Sequence, residues 1–248
     1  MLRGDMRAYY DTIGVNYSNL RNPDFRLAML TEVALGTAKS VLNVGAGTGS
    51  YEPTDRKVTA IEPSVEMIRQ RPASAAPVIQ GHAENLPFED NSFDASMAIL
   101  TVHHWTDKEK GLKEMRRVTR DRVVLLTFDS SHQDFWLADY IPELVALDEA
   151  QMPMITDYEK WLGPVDVSNV PIPHDCTDGF LCAYWRRPTA YLDPRVRGAI
   201  STFWAIDNIA EGLKQLASDL DSGVWAQRYS ELLELEQRDF GYRLVVTK

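Results

Sequence analysis

The stretch VLNVGAGTGSYEPTDRKVTAIEPS limits what this chain can fold into more than any other. It places a short β-branched and apolar run, Ser40 to Val44, before three glycines, and then a second such run, Val58 to Ile61, that ends in Glu62. Short apolar runs bounded by turn residues read as buried strands. Glycines at a strand end let the backbone turn sharply and come close to a ligand, and open α/β sheets bind ligands at the carboxyl ends of their strands. Gly45, Gly47 and Gly49 follow the pattern GxGxG, whereas the dinucleotide fingerprint is GxGxxG, whose third glycine falls on Ser50 here. The spacing favours a nucleoside ligand without a pyrophosphate and disfavours a nicotinamide-dependent oxidoreductase. Glu62 fits the same ligand, because an ionised carboxylate accepts two hydrogen bonds at once and matches the paired hydroxyls of a ribose.

The alternation continues along the first half. Asn22-Pro23-Asp24 reads as a helix start with an Asn cap, and Gly36 as its stop. A helix runs from Ser64 through Ile68 until Pro72, strands follow near Val78-Ile79 and from Phe93 to Leu100, and a helix begins at Thr106, which forms a capping-box pattern with Glu109. Val123 to Phe128 is another strand. Strands alternating with helices at this pitch predict an α/β fold: a Rossmann-like, doubly wound, mostly parallel sheet in a three-layer sandwich. After Asp129 the rhythm changes to a helical stretch with Phe135, Trp136 and Trp161, a weak strand from Val165 to Val170, the segment PIPHDC, and more helix rich in Trp, Tyr and Arg. Tyr242 to Val246 reads as a last strand. No polar linker divides the chain, so one domain is expected, with residues 1–130 as the cofactor-binding half and helical cap segments at about 131–164 and 177–236.

Charge narrows the partners. Among 248 residues, 26 basic and 36 acidic side chains leave a net charge of −10, so no basic stripe exists to drive binding to nucleic acid or to an anionic membrane. A small-molecule partner is expected. Cys176 and Cys182 are too few for a disulfide framework, and with His174 and Asp175 they show no zinc spacing, so no metal is expected. The polar start MLRGDMRAYYD and the absence of a long apolar run favour the cytoplasm. Monomer and homodimer both stay open.

Four further motifs accompany the glycine turn: IEPSVEM, GHAENLPFEDNSFD, LTVHHW, and the helix ending EMRRV. Together with GAGTGS they resemble, in order, the motifs of class I S-adenosylmethionine-dependent methyltransferases. The likeness is greatest to the small-molecule branch that includes the ubiquinone/menaquinone C-methyltransferases. It covers about residues 9 to 129, and the ending DFGYRLVV resembles the last strand of the family's seven-stranded sheet. The resemblance implies S-adenosyl-L-methionine as cofactor and S-adenosyl-L-homocysteine as product. It implies that Gly45, Ala46, Gly47 and Gly49 line the methionine and ribose part, that Glu62 holds the ribose, and that Pro63, Ser64 and Met67 flank the adenine. Ala83 and Glu84, with Leu100, complete the cofactor site, and Tyr17 and Arg21 face its methionine end. The chain departs from the family at His82 and Asn43, where acids are usual, and in the short link from Gly49 to Val58, which contains Pro53 and leaves space for at most a turn of helix.

Methyl transfer from a sulfonium is an in-line displacement that gains much of its rate from holding the acceptor close and aligned. A general base helps a hydroxyl or amine acceptor, and His103 and His104 stand at the correct rim. As neighbours they are expected to point opposite ways, so that only one reaches the acceptor. Tyr9, Tyr10 and Tyr17 either cover the cofactor or pack on the first helix. His174-Asp175-Cys176 reads as packing, and Arg186-Arg187 as a solvated face or a grip on an anionic acceptor. The alternative is a non-catalytic module that binds S-adenosylmethionine or another nucleoside; an arsenic or RNA methyltransferase fits the two cysteines and the acidic charge less well.

Overall fold

The structure, a computed structural model, describes residues 21–132 and 134–248. Tyr9, Tyr10 and Tyr17 lie outside the described residues. Helix α1 (Phe25–Leu35) leads into strand β1 (Ser40–Val44), β2 (Lys57–Glu62), helix α2 (Val65–Arg69), β3 (Val78–Gln80), β4 (Phe93–Ile99), α3 (Lys108–Val118) and β5 (Thr119–Phe128). Helices α4 (Glu143–Gln151) and α5 (Ile155–Leu162) precede β6 (Val165–Asn169) and the two-residue β7 (Ile172–Pro173). Short helices then follow: α6 (Pro194–Gly198), α7 (Thr202–Ala205), α8 (Ala210–Asp221) and α9 (Val224–Arg228), interleaved with 3-10 turns. The chain ends with β8 (Gln237–Arg238) and β9 (Tyr242–Thr247).

Seven strands form one sheet in the order β3-β2-β1-β4-β5-β9-β6, with β9 antiparallel to both its neighbours and the first five strands parallel. The strands read as continuous apolar runs because both faces are covered. Val123 and Leu125 of β5 pack with Leu112, Met115 and Val118 of α3 and with Tyr158 and Leu162 of α5, while Val124 between them packs on the opposite face with Leu35, Val41 and Met97. Residues i and i+2 share a face, so one strand feeds both outer layers. The switch point lies between β1 and β4, where the strand order reverses. Ligands bind at the carboxyl ends of the strands at such a point.

Three helix boundaries show what local side chains decide. The cap of α1 is Asp24 rather than the expected Asn22: its carboxylate accepts from Arg26 N at 3.0 Å and also takes the Arg26 guanidinium and Thr177 N–H. Pro23 carries no N–H to donate, and the ionised acid is the stronger acceptor at the positive end of a helix. Likewise α3 is capped by Asp107, which accepts from Lys110 N at 3.0 Å, and not by Thr106. Thr106 N–H instead joins Asp107 N–H on Glu84 Oε1, at 2.9 and 3.1 Å. Ser64 caps α2 as expected, accepting from Met67 N at 3.2 Å. Between Gly49 and β2 the chain forms turns and bends only.

The second half builds a cap over the carboxyl edge. Its core is aromatic: Trp136, Tyr140, Trp185, Tyr191, Trp225 and Phe240 are buried together with Tyr242 of β9. Two of the buried indole N–H groups are satisfied by backbone, Trp136 Nε1 donating to Trp185 O at 2.8 Å and Trp185 Nε1 to Ile172 O at 3.1 Å, while Trp225 Nε1 finds no partner among the described residues. Among the described residues no helix is long and apolar enough to cross a membrane.

Candidate active site

At the carboxyl ends of β1, β2 and β4 lies a cavity with about 1100 Å³ of open space, part of it continuous with bulk solvent. Its wall gathers residues from four of the motifs of the first half: Asn43, Gly45, Ala46 and Gly47 at the end of β1, Glu62, Pro63, Ser64 and Met67 at the end of β2, His82, Ala83 and Glu84 after β3, and Leu100 and His104 after β4; the helix ending EMRRV lies outside it. Arg21, Thr48, Ser50, Tyr51, Thr101 and Trp105 complete the enclosure. Gly45 and Gly47 have φ of 71° and 52°, in the left-handed region that favours glycine. A Cβ at Gly45 would stand 2.3 Å from Thr101 Oγ1, whereas one at Gly47 would meet nothing within 4 Å. The first glycine therefore serves close packing against the β4 end, and the second keeps the cavity open.

Glu62, buried at the end of β2, organises the loop. Its Oε2 accepts from Gly47 N at 2.7 Å and its Oε1 from Ser64 N at 2.9 Å. Glu62 also lines the cavity, and an ionised carboxylate there is an acceptor of hydrogen bonds only. Glu84 lines the cavity too, but its Oε1 is engaged by the amides that enter α3.

Gly49 stands apart from the other two glycines. It does not line the cavity; its φ is 96° and a Cβ there would press on Ala75, Glu52 and Arg71. Those neighbours form a buried clamp beneath the loop that sequence patterns did not single out. Glu52 pairs with Arg71 at 2.6 Å and takes Ala76 N at 2.8 Å, while Arg71 also donates to Gly47 O at 3.0 Å. Asn43 donates its amide to Glu52 Oε1 at 3.1 Å. The acid that the family pattern places at position 43 is thus replaced by an amide that borrows a carboxylate nine residues further on. The only local signal was a lone Glu in the short link GSYEPTD.

A second polar chain ties the cap to the loop. Arg21 Nε donates to Asp178 Oδ1 at 2.5 Å, and the Tyr51 hydroxyl donates to Asp178 Oδ2 at 2.8 Å. Asp178 is buried, and burial and its charge push the Tyr51 hydroxyl well above its usual range. Arg21 also lines a second, smaller cavity of about 590 Å³, open to solvent at its mouth, bounded by His103, Thr127, Phe128, Asp148, Phe180, Leu181, Ile200 and Tyr242. Leu100 and His104 line it as well, so three residues, Arg21, Leu100 and His104, form the wall common to both cavities.

The two histidines do not point opposite ways. Residues 102–104 form a 3-10 turn, and the imidazole centroids lie 3.8 Å apart. His103 reaches only the second cavity. Burial, with Lys108 and Arg21 nearby, pushes His103 down to about 3, and burial next to His103 drives His104 well below its usual value. Both rings are neutral at pH 7. His174 sits on Glu236 at 3.3 Å, away from both cavities. Burial raises Cys176 to about 12 and drives Cys182 well above its ordinary value, which leaves both as unreactive thiols. Arg187 spends its guanidinium on Cys176 O and Ala183 O, and Arg186 donates to Leu235 O. These arginines stitch the cap backbone. Among the described residues no three His, Cys, Asp or Glu side chains cluster to hold a metal ion.

Known proteins place this geometry. A methyltransferase domain family matches residues 42–127, the stretch that supplies most of the first cavity. A crystal structure of a candidate methyltransferase of an antibiotic biosynthesis pathway, from Anabaena variabilis ATCC 29413, superposes with a TM-score of 0.87 at 35% identity, covering 92% of this chain and 99% of that one. The chain belongs to the class I S-adenosylmethionine-dependent methyltransferases. Among curated relatives, the chloroplastic 2-methyl-6-phytyl-1,4-hydroquinone methyltransferase 1 of Oryza sativa subsp. japonica is 25% identical over 180 residues, 66% of this chain and 53% of its own. The demethylmenaquinone methyltransferase of Paenarthrobacter aurescens (strain TC1) is 31% identical over 134 residues, 52% of this chain and 53% of its own. The methyltransferase described here spans about half the length of these curated relatives. Its first cavity suits the family's cofactor chemically: a backbone opened by Gly47, an acceptor-rich carboxylate at Glu62, and the thioether of Met67 beside Pro63 form a cradle for a ribose and a flat base.

Proposed function

We propose that this methyltransferase carries the methyl group of S-adenosylmethionine to a small, largely apolar acceptor held in the second cavity. The observation that carries the reading is the shared wall: the cavity built from the cofactor motifs and the cavity enclosed by the cap meet at Arg21, Leu100 and His104. S-adenosylmethionine supplies an electrophilic methyl group on a sulfonium, displaced in line, and departs as neutral S-adenosylhomocysteine. Glu62, lining the cavity at the end of β2, holds the ribose hydroxyls. Pro63, Ser64 and Met67 flank the adenine, with His82 and the Ala83 backbone at its edge. Asn43 and the loop from Gly45 to Gly47 receive the methionine end, and Arg21 stands where the two ligands meet. One domain suffices, its first half binding the cofactor and its cap the acceptor.

His104 orients the acceptor rather than taking its proton. A base works best with a pKa near the operating pH, and burial has moved both imidazoles far below it. Hydroquinones are the acceptor class suggested by the names of the curated relatives, and Phe128, Phe180 and Tyr242 offer a ring flat apolar surfaces to lie against. Titration calorimetry with S-adenosylhomocysteine, followed by release of that product from S-adenosylmethionine in the presence of hydroquinones and phenols, tests the reading. Absence of binding at high micromolar concentration defeats it.

A further inference from the structure

A short stretch of the cap, residues 175–178, is stitched to residues 21–26 at the start of α1. Arg21 and Asp178 form an antiparallel backbone bridge, and their side chains pair as well, Nε to Oδ1 at 2.5 Å and Nη2 to Oδ2 at 3.3 Å. Thr177 N–H donates to Asp24 Oδ2 at 3.1 Å and the Thr177 hydroxyl to Pro23 O at 3.3 Å, while Arg26 Nη1 donates to Asp175 Oδ1 at 2.7 Å. Just beyond this seam, Phe180 and Leu181 wall the second cavity.

Tyr51 carries the glycine loop into the seam. It lines the first cavity, and its hydroxyl donates to Asp178 Oδ2 at 2.8 Å and accepts from Asp24 N–H at 3.3 Å. Its φ is 65°, a left-handed backbone that is an outlier for so bulky a side chain. Such a conformation persists where its surroundings over-determine it, and here they are the buried ring and the two partners of the hydroxyl. Tyr51 therefore has two arrangements open to it. With the hydroxyl on Asp178 the strained backbone is held; with the hydroxyl released the loop relaxes, and the buried Asp178 carboxylate loses a donor.

Resting on the methyltransferase reading above, we propose that Tyr51 and Asp178 are positioning residues that report the cofactor to the acceptor chamber. A nucleoside seated against Tyr51 favours the arrangement in which the hydroxyl stays on Asp178. Asp178 lines neither cavity and acts through what it holds: the Arg21 guanidinium, which belongs to the wall common to both, and the backbone that leads to Phe180 and Leu181. The wall on the acceptor side is thus set when the methyl donor is in place. The coupling runs both ways, because a ligand that holds Arg21 and Phe180 in position tightens cofactor binding by the same factor.

The division of the two walls makes this coupling measurable without an acceptor. Among the described residues none after Thr106 lines the first cavity. A ligand confined to that cavity touches none of residues 177–181, so any slowing of their amide exchange has to pass through the fold. The path through Tyr51 and Asp178 is two side chains long. The Thr177 amide, held by Asp24, is a direct reporter of whether the seam is closed.

The test is hydrogen–deuterium exchange of the full chain with and without saturating S-adenosylhomocysteine, read in residues 45–50 and in residues 177–181. The wild type is compared with Tyr51→Phe, which keeps the ring and loses the hydroxyl, and with Asp178→Asn, which keeps shape and loses the charge that holds Arg21. Tyr229→Phe, which removes a hydroxyl bound to Asp139 at 2.6 Å elsewhere in the cap, is the control. In the wild type and in Tyr229→Phe the ligand is expected to slow exchange in both stretches, by at least about fivefold in residues 177–181. In Tyr51→Phe and Asp178→Asn the slowing is expected to persist in residues 45–50 and to fall below about twofold in residues 177–181. Each variant is compared with its own ligand-free form, so a general loss of stability does not mimic the result. Slowing of residues 177–181 in Tyr51→Phe or Asp178→Asn equal to the wild type overturns the role of that residue, and its loss in Tyr229→Phe overturns the path through the seam. A wild type protected in residues 45–50 alone overturns the coupling while the methyltransferase reading stands. A wild type that does not bind S-adenosylhomocysteine overturns that reading instead.

Discussion

Alanine at Gly45 and at Gly47 separates what the glycine loop does for folding from what it does for binding. Both positions have positive φ, 71° and 52°, so an L side chain costs about 1 to 2 kcal/mol at either. At Gly45 the new methyl group also meets Thr101 Oγ1 at 2.3 Å and Cγ2 at 2.9 Å, on a short β-branched side chain that has little space to retreat, which adds about 1 to 3 kcal/mol of overpacking. Gly45→Ala should therefore destabilise by roughly 2 to 5 kcal/mol, a fall in Tm of about 4 to 20 °C at about 2 to 4 °C per kcal/mol for a chain of this size. At Gly47 nothing lies within 4 Å, and alanine recovers about 0.4 to 1 kcal/mol through the unfolded chain, so the melting point should move by only a few degrees. The same methyl group would stand in the cavity that Gly47 lines. Its S-adenosylhomocysteine affinity should fall at least about tenfold, or 1.4 kcal/mol. Thermal unfolding and titration calorimetry on both variants read the two effects. A Gly45→Ala protein that melts with the wild type, or a Gly47→Ala protein that binds within twofold of it, would refute this account of the loop.

Other expectations follow from neighbouring contacts. Glu62→Gln keeps shape but turns an NH2 group toward one of the two amides that the carboxylate now accepts, so cofactor binding should weaken by about 1.5 to 3 kcal/mol per charged hydrogen bond lost; unchanged calorimetric affinity contradicts the ribose assignment. Arg71→Ala strands the buried Glu52 carboxylate beneath the loop and should cost about 3 to 5 kcal/mol of stability, measurable by urea unfolding. Since burial holds His103 near 3 and His104 well below its usual value, His104→Ala should leave the shape of the kcat/KM profile between pH 5 and 8 unchanged, and an acidic limb near 6.5 that vanishes in His104→Ala would restore the imidazole as base. Asp148 binds its proton up to about pH 7 when folded but only to about 3.8 when unfolded, so it erodes stability as pH rises between those values; Asp148→Asn should flatten that slope in a melting series.

What could be read from the sequence is what local pattern determines. The β1-glycine-β2 unit, Glu62 at the strand end, Ser64 as a cap and Gly36 as a stop each depend on residues close together in the chain, and each stands where pattern puts it. The helix starts at Asp24 and Asp107 were displaced because two capping side chains stood within two residues of each other, and the choice between them was made by Thr177 in one case and Glu84 in the other. Contacts of that kind span long stretches of sequence and leave no periodic trace. For the same reason Glu52, Thr101, Asp148 and Asp178 escaped notice: an isolated acid or threonine looks like any surface residue until the fold encloses it. Gly49 carried the correct spacing and the wrong inference, since it faces the Glu52 and Arg71 clamp and not the ligand.

The antiparallel β9 bears on the order in which the molecule assembles. Val124 of β5 pairs with Val246 across nearly half the chain, and Tyr242 at the start of β9 is a wall of the second cavity. Pairings between distant segments pay loop-closure entropy before they return contacts, and they form late. The first cavity draws its lining from residues 21 to 106, and of these Arg21 and Tyr51 reach across to Asp178 while the strand-end motifs stand without so distant a partner. During synthesis the cofactor cradle can therefore take shape while the acceptor chamber still lacks a side, and a nascent chain would meet the nucleoside before it can hold anything to methylate.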